Sequence, residues 1–184
     1  MSALELWADV AGERAGLKGP RAAQWLGAAG IELPASPNRW VATGIPGSAH
    51  DALLVARLGA SEYFLEDRVE SDAGFLHKLI AALATPFAGV YPVLRSDAAF
   101  VLCGDGTLDV LAQTCNVNFG ALDLATRPVI MTMMIGVSVL VIPQTVDGDV
   151  QYRIWCDPTF GSYLEAAVGE VVIDCGGRHK GMAV

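Results

Sequence analysis

Phe100-Val101-Leu102-Cys103-Gly104-Asp105-Gly106-Thr107-Leu108-Asp109-Val110-Leu111-Ala112-Gln113-Thr114-Cys115 reads as a strand, a glycine turn and a helix. The helical part carries Leu108, Leu111, Ala112 and Cys115 at i, i+3, i+4 and i+7, one apolar stripe of an amphipathic helix. The same arrangement stands earlier, where Leu17-Lys18-Gly19-Pro20 leads into Ala22, Trp25, Leu26 and Ala29, a stripe offset by 86 residues. A second pair of stripes, Leu76, Leu79, Ile80 and Leu83, then Phe160, Tyr163, Leu164 and Ala167, is offset by 84 residues. Strand-like runs precede each member of that pair: Ala52–Leu58 and Glu62–Asp67 before the first, Val129–Ile142 and Val150–Cys156 before the second. Asp147-Gly148 is a hairpin-like turn between the latter two.

Each half therefore reads as strand, helix, two strands, helix, with the break near Thr85–Tyr91. This predicts a pseudo-duplicated α+β fold, four amphipathic helices on antiparallel sheets. The chain is expected to be one domain over residues 1–184, with pseudo-repeats at about 1–88 and 89–175 and a mobile tail at 176–184. Pro20 and Pro158 suit first helical turns, and Asp72, Asp105 and Asp157 suit N-caps. Gly30 and Gly169 suit C-terminal positions, with Pro86 just past the second helix. Ala35–Ser48, rich in Pro, Gly and Ser, reads as an irregular loop.

Val129–Ile142 holds no charge, but its fourteen residues fall short of the roughly twenty that a membrane helix needs. Eight are β-branched, which favours a strand, broken near Gly136. Its odd positions, from Val129 to Val141, are uniformly apolar and are expected to face the core. The other face, with Thr132, Gly136 and Ser138, is free to meet a partner.

Composition bounds the function. With 53% hydrophobic and 17% charged residues among 184, the chain is no disordered polymer, and its apolar excess hints at burial against another protein. A net charge of −8 argues against nucleic acid, whose phosphates an acidic chain repels. The basic run Arg178-His179-Lys180 is too short to reverse this. Cys103, Cys115, Cys156 and Cys175 form no CxxC pair and read as reduced thiols of a cytoplasmic protein. The segment from Met1 to Val10, with Glu5 and Asp9, lacks the basic and apolar regions of a signal peptide.

No catalytic constellation emerges. Gly104-Asp105-Gly106 begins a dinucleotide fingerprint, but Asp109 stands where the third glycine belongs, so a tight strand-to-helix turn is the better reading. There is neither a Walker A sequence nor a GxSxG elbow. His50 falls in a loop beside Asp51, His77 borders a helical stripe, and His179 lies in the tail. That scatter offers no metal-ligand spacing and no base beside a nucleophile. Asp147 and Asp149 flank a turn glycine. Arg95 and Arg127 read as charged residues beginning a strand, with an interface ion pair as the alternative. The expectation is a structural or binding subunit with no catalytic, cofactor-binding or metal residues of its own.

Several stretches resemble the gamma subunits of heterotetrameric sarcosine oxidases. They are Leu17-Lys18-Gly19-Pro20 with its helix, Arg57-Leu58-Gly59-Ala60-Ser61-Glu62-Tyr63-Phe64-Leu65, and Phe100-Val101-Leu102-Cys103-Gly104 with its helix. The long strand pair leading to Tyr152-Arg153-Ile154 and the helix from Pro158 is the fourth. The resemblance implies a fold like the folate-binding domain of aminomethyltransferases, with two intertwined α+β halves. It implies a cytoplasmic complex with alpha, beta and delta subunits that oxidatively demethylates sarcosine or a related N-methyl amine. In such a complex the methyl carbon goes to tetrahydrofolate or leaves as formaldehyde. FAD, FMN, NAD, zinc and tetrahydrofolate belong to the partner subunits, and this chain packs against the large one. Lys-Gly-Cys-Tyr-x-Gly-Gln, found in other members of the wider fold family, is absent; Lys18-Gly19-Pro20 is a partial echo that occurs too early. The alternatives are a standalone folate-binding one-carbon transfer domain and a subunit of an N-methylglutamate dehydrogenase-type complex.

Overall fold

A computed structural model describes residues 2–44, 53–67, 74–84 and 89–180. The fold is α+β, with four α-helices and two largely antiparallel sheets among these residues. The chain divides into two compact units, Ala11–Arg95 and a second made of Met1–Val10 with Ser96–Val184. The division falls at Arg95 rather than near residue 88, and the first ten residues belong with the C-terminal half. A four-residue strand carries too little pattern to announce which sheet it will join.

The unit at Ala11–Arg95 contains β2 (Glu13–Lys18), α1 (Ala22–Ala28), β3 (Arg39–Thr43), β4 (Leu53–Arg57), β5 (Glu62–Asp67), α2 (Phe75–Ala81) and β6 (Tyr91–Val93). The sheet order is β3-β4-β5-β2-β6, antiparallel throughout. The strand β3 lies inside the predicted loop Ala35–Ser48. Its turn-rich flanks hid Arg39-Trp40-Val41-Ala42-Thr43, which pairs with β4 in register Val41↔Val55. Both helical stripes of this half are confirmed. Ala22 and Leu26 are buried with Trp25 and Ala29 beside them, and Leu76, Leu79 and Leu83 are buried with Ile80 beside them. Gly30 follows α1 with φ 78°, the left-handed conformation expected past a helix end. Pro20 stands outside α1, which starts after Arg21. Asp72 and Pro86 lie outside the described residues.

The other unit contains β1 (Glu5–Ala8), β7 (Ala98–Cys103), α3 (Thr107–Thr114), β8 (Ile130–Met134), β9 (Val137–Val146), β10 (Asp149–Cys156), α4 (Gly161–Asp174) and β11 (Arg178–Lys180). Its sheet order is β11-β1-β7-β10-β9-β8. The duplication is visible in this order: β8-β9-β10-β7-β1 repeats β3-β4-β5-β2-β6, strand for strand. Each half has three strands, not two, between its helices. In the first half the extra strand is β3; in the second it arises because Val129–Ile142 is a hairpin turning at Ile135 (φ 47°) and Gly136 (φ 80°).

That two-residue turn also overturns the expected facing. Met134 pairs with Val137 and Ile130 with Val141, so even residues of β8 share a face with odd residues of β9. Val137, Val139 and Val141 enter the core, as expected, while Met131 and Met133 point to solvent. The two later stripes are rotated by about one residue. In α3 the buried side chains are Thr107, Val110, Leu111 and Thr114, and Leu108 is exposed. Leu108, Val110, Leu111 and Ala112 form an apolar arc wider than one stripe, so two phases fit the sequence. The hydrogen bond from Thr107 Oγ1 to the Gly104 carbonyl (2.7 Å) sits at the helix start, where the buried series begins. In α4 the buried series is Gly161, Leu164, Val168 and Val172. Phe160 belongs to a preceding 3-10 turn, Pro158–Phe160, so counting the period from it misplaces the phase.

Asp157 caps that turn, accepting from the Thr159 amide at 2.9 Å. Asp105 caps nothing: Gly106 occupies the position before α3, with φ 91°. Gly169 lies within α4, not after it. The residues Arg178–Lys180, expected in a mobile tail, form β11, paired in parallel with β1.

Candidate interface

The two glycine turns show what the sequence echo is for. A Cβ on Gly104 would stand 2.0 Å from the Ala3 carbonyl oxygen, and one on Gly19 would stand 2.3 Å from that of Gly89. Both glycines, with φ 93° and 127°, admit a close backbone approach of the chain to itself. Gly104-Asp105-Gly106 is thus the expected tight turn, filled by the N-terminal segment.

The residues singled out for chemistry do not come together. His77 is exposed on α2, with its backbone amide near Glu13 (3.4 Å). Asp147 and Gly148 form the left-handed pair of the β9–β10 turn, leaving Asp149 exposed. Arg95 follows β6 rather than starting a strand. It pairs with Glu62 (3.3 Å) and lies over the Phe64 ring (5.6 Å), all within one unit. Arg127 takes a left-handed φ of 50° at the end of the 3-10 turn Leu124–Thr126. His50 and Asp51 lie outside the described residues. Among the described residues, no three His, Cys, Asp or Glu side chains are grouped to hold a metal ion.

All four cysteines are free thiols. Burial pushes the Cys156 thiol up to about 11, reinforced by Asp97 and Asp157. Burial and Glu5 raise that of Cys103. Neither is an activated nucleophile, which would require a depressed value. Asp157 is held below the usual carboxylate range, first by the Thr159 hydroxyl and then by its amide.

Buried charge is the feature that sequence reading missed. Arg14 Nε donates to Glu66 Oε1 at 2.7 Å, with the Glu66 side chain 0% exposed. Arg153, 1% exposed, pairs with Asp9 and lies 4.8 Å over the Trp155 ring. Ile142, Gln144, Val101 and Ala99 are buried as well. Part of the apolar excess is therefore buried within the chain, on both parities of β9 and β10, while Ser138 of β9 stays exposed. The signal lay in strict alternation: Arg14, Glu66 and Arg153 fall on the strand parity opposite to Leu17, Leu65 and Ile154.

Among the described residues nine large apolar side chains stay exposed, Leu94 the most, and four of them lie on β8 and at the start of α4. Met131 and Met133 on edge strand β8 are 54% and 57% exposed. Tyr163 on α4, half-exposed, donates through its hydroxyl to the Ile135 carbonyl at 3.4 Å, which ties the helix start to the hairpin turn. Phe160 lies exposed one turn before it. Methionine and aromatic residues are more frequent in protein–protein interfaces than on the rest of a protein surface. No helix among the described residues is long and apolar enough to cross a membrane. The gap lined by Leu6, Phe100, Met134, Ile154, Leu164, Glu165 and Val168 has no room for even a water molecule and so offers no small-molecule site.

No known family's sequence profile matches the chain, and no curated protein matches it by sequence. Solved structures do match. A chain of heterotetrameric sarcosine oxidase from Corynebacterium sp. U-96, in complex with pyrrole 2-carboxylate, superposes with a TM-score of 0.66 at 21% identity. The match covers 92% of this chain and 82% of that one. The glycine cleavage system aminomethyltransferase T from Bartonella henselae superposes with a TM-score of 0.67 at 14% identity. There 98% of this chain covers 48% of the other, so the chain spans about half the aminomethyltransferase. The fold is the one these proteins share.

Proposed function

We propose that the chain is a noncatalytic, gamma-type subunit of a sarcosine-oxidase-like complex. One observation carries this reading: the overlap with a chain of heterotetrameric sarcosine oxidase takes in 92% of this chain and 82% of that one, whereas only 48% of the aminomethyltransferase is matched. The exposed Met131–Met133 edge and the Phe160–Tyr163 rim supply a surface for a larger subunit. In this reading the partners are alpha, beta and delta subunits in the cytoplasm. FAD, FMN, NAD, zinc and tetrahydrofolate sit on those partners. The complex oxidises sarcosine or a related N-methyl amine, passing the methyl carbon to tetrahydrofolate or releasing formaldehyde.

Co-purification of the tagged chain from its native host is the test. Stoichiometric recovery of a flavoprotein and a large subunit of aminomethyltransferase type is expected. Recovery of the chain alone under mild conditions rejects the reading. The similarity to an aminomethyltransferase favours a second reading, a folate-binding one-carbon domain acting alone. Tight tetrahydrofolate binding by the isolated chain, seen by calorimetry, would select it.

A further inference from the structure

Among the described residues, the strand β11 has no counterpart in the unit Ala11–Arg95. Aligned on Gly19 and Gly104, the strand that corresponds to β1 is β6, and β6 is the last strand of its sheet among the described residues. The two edges are treated differently. Strand β6 carries Pro92, which has no N–H to offer an incoming strand. Strand β1, Glu5-Leu6-Trp7-Ala8, has no proline, and β11 occupies its outer side in register Glu5↔Arg178, Leu6↔His179 and Trp7↔Lys180.

A three-residue strand is a weak element by itself, and four features hold it. The Arg178 amide donates to the Leu4 carbonyl at 2.9 Å. Lys180 Nζ reaches Glu5 Oε2 at 2.6 Å and lies 5.8 Å over the Trp7 ring. His179 Nε2 lies 3.1 Å from Glu165 Oε1 on α4. The His179 ring fits because α4 has a notch: a Cβ on Gly169 would stand 2.8 Å from its Nδ1. Glycine inside a fourteen-residue helix costs about 1 kcal/mol relative to alanine, so the notch needs a reason. Gly177 makes a second such space, since its Cβ would stand 2.6 Å from Leu4 Cγ.

We propose that Arg178–Lys180 is a clasp that closes the outer edge of β1, with His179 seated in the Gly169 notch as its fastener. It does by covering what Pro92 does at the equivalent edge by removing a donor. The clasp is a device of this chain and does not depend on the complex proposed above.

Hydrogen exchange on the full-length chain tests it. His179→Ala and Gly169→Ala should each speed exchange of the Arg178 amide by about tenfold or more, leaving the Ile154 amide in the sheet centre unchanged. Gly169→Ala removes a helix glycine, so a merely structural view expects a more stable α4 and no loosening of β11. An unchanged Arg178 amide in His179→Ala, with Ile154 still protected, overturns the role of the ring. Deletion of residues 178–184 bares the edge, and sedimentation should then show self-association absent from the full chain. A truncated chain with the same oligomeric state as the full one overturns the role of the clasp.

Discussion

The two sheets share a strand order but differ in what they bury and in how they end. Aligned on Gly19 and Gly104, the pair Arg14↔Glu66 of one sheet corresponds to Ala99↔Trp155 of the other. An ion pair in the first is an apolar pair in the second. Phe64, opposite Gly16, corresponds to Arg153, opposite Val101, so an aromatic exchanges with a cation. Duplicated backbone geometry therefore sets which positions are buried, while the chemistry placed there has diverged. The edges follow the same rule: proline at β6, an added strand at β1.

The largest test strikes what the halves have in common. Leu26 on α1 and Leu164 on α4 are both essentially unexposed in their own cores. Leu26→Asp and Leu164→Asp each bury an unpaired carboxylate and should cost about 4 kcal/mol or more, read by urea unfolding. Native-like stability in either variant would break the claim that each half keeps its own core.

The next test strikes where they differ. Glu66→Leu removes the carboxylate to which Arg14, only 11% exposed, donates, and should cost about 3 kcal/mol. The double variant Arg14→Met/Glu66→Leu imitates the apolar pair of the other sheet and should recover at least half of that loss. The comparison has an internal control in Glu62, 44% exposed, whose pairing with Arg95 is worth less than about 1 kcal/mol on replacement by Gln. Equal losses for Glu66 and Glu62 would show that burial is not what makes the difference.

Much of the fold was legible because glycine turns and helical period are local signals. The Gly19 and Gly104 turns and the first two stripes needed only neighbours in sequence. Three features were not local. Phase was ambiguous in α3, where Leu108, Val110, Leu111 and Ala112 offer apolar residues on several sides, and in α4, where the 3-10 turn shifted the count. Facing in β8 depended on whether Ile135-Gly136 bends the strand or folds it back. The placements of β1 and β11 rested on pairing between residues more than 90 apart, such as Glu5 with Cys103 and Arg178. As for the site, the sequence pointed to Val129–Ile142 as the surface that meets a partner. The exposed face there carries Met131, Met133 and Ser138, with Ser138 paired opposite Met133, whereas Thr132 pairs with Val139 on the core side.

The smallest effect on the fold belongs to those two methionines, and it separates surface from core within one hairpin. Met133 and Met134 are adjacent, yet the first is 57% exposed and the second 0%. Met133→Lys places a charge in water and should change unfolding free energy by less than about 0.5 kcal/mol. Met134→Ala empties a filled position beside Val137 and should cost about 2 to 5 kcal/mol. If the β8 edge docks against a larger subunit, Met133→Lys should still lower the yield of co-purified partner, because a desolvated lysine opposes an apolar contact. A variant of unchanged stability and unchanged recovery would move the docking surface away from β8 while leaving the duplicated fold untouched.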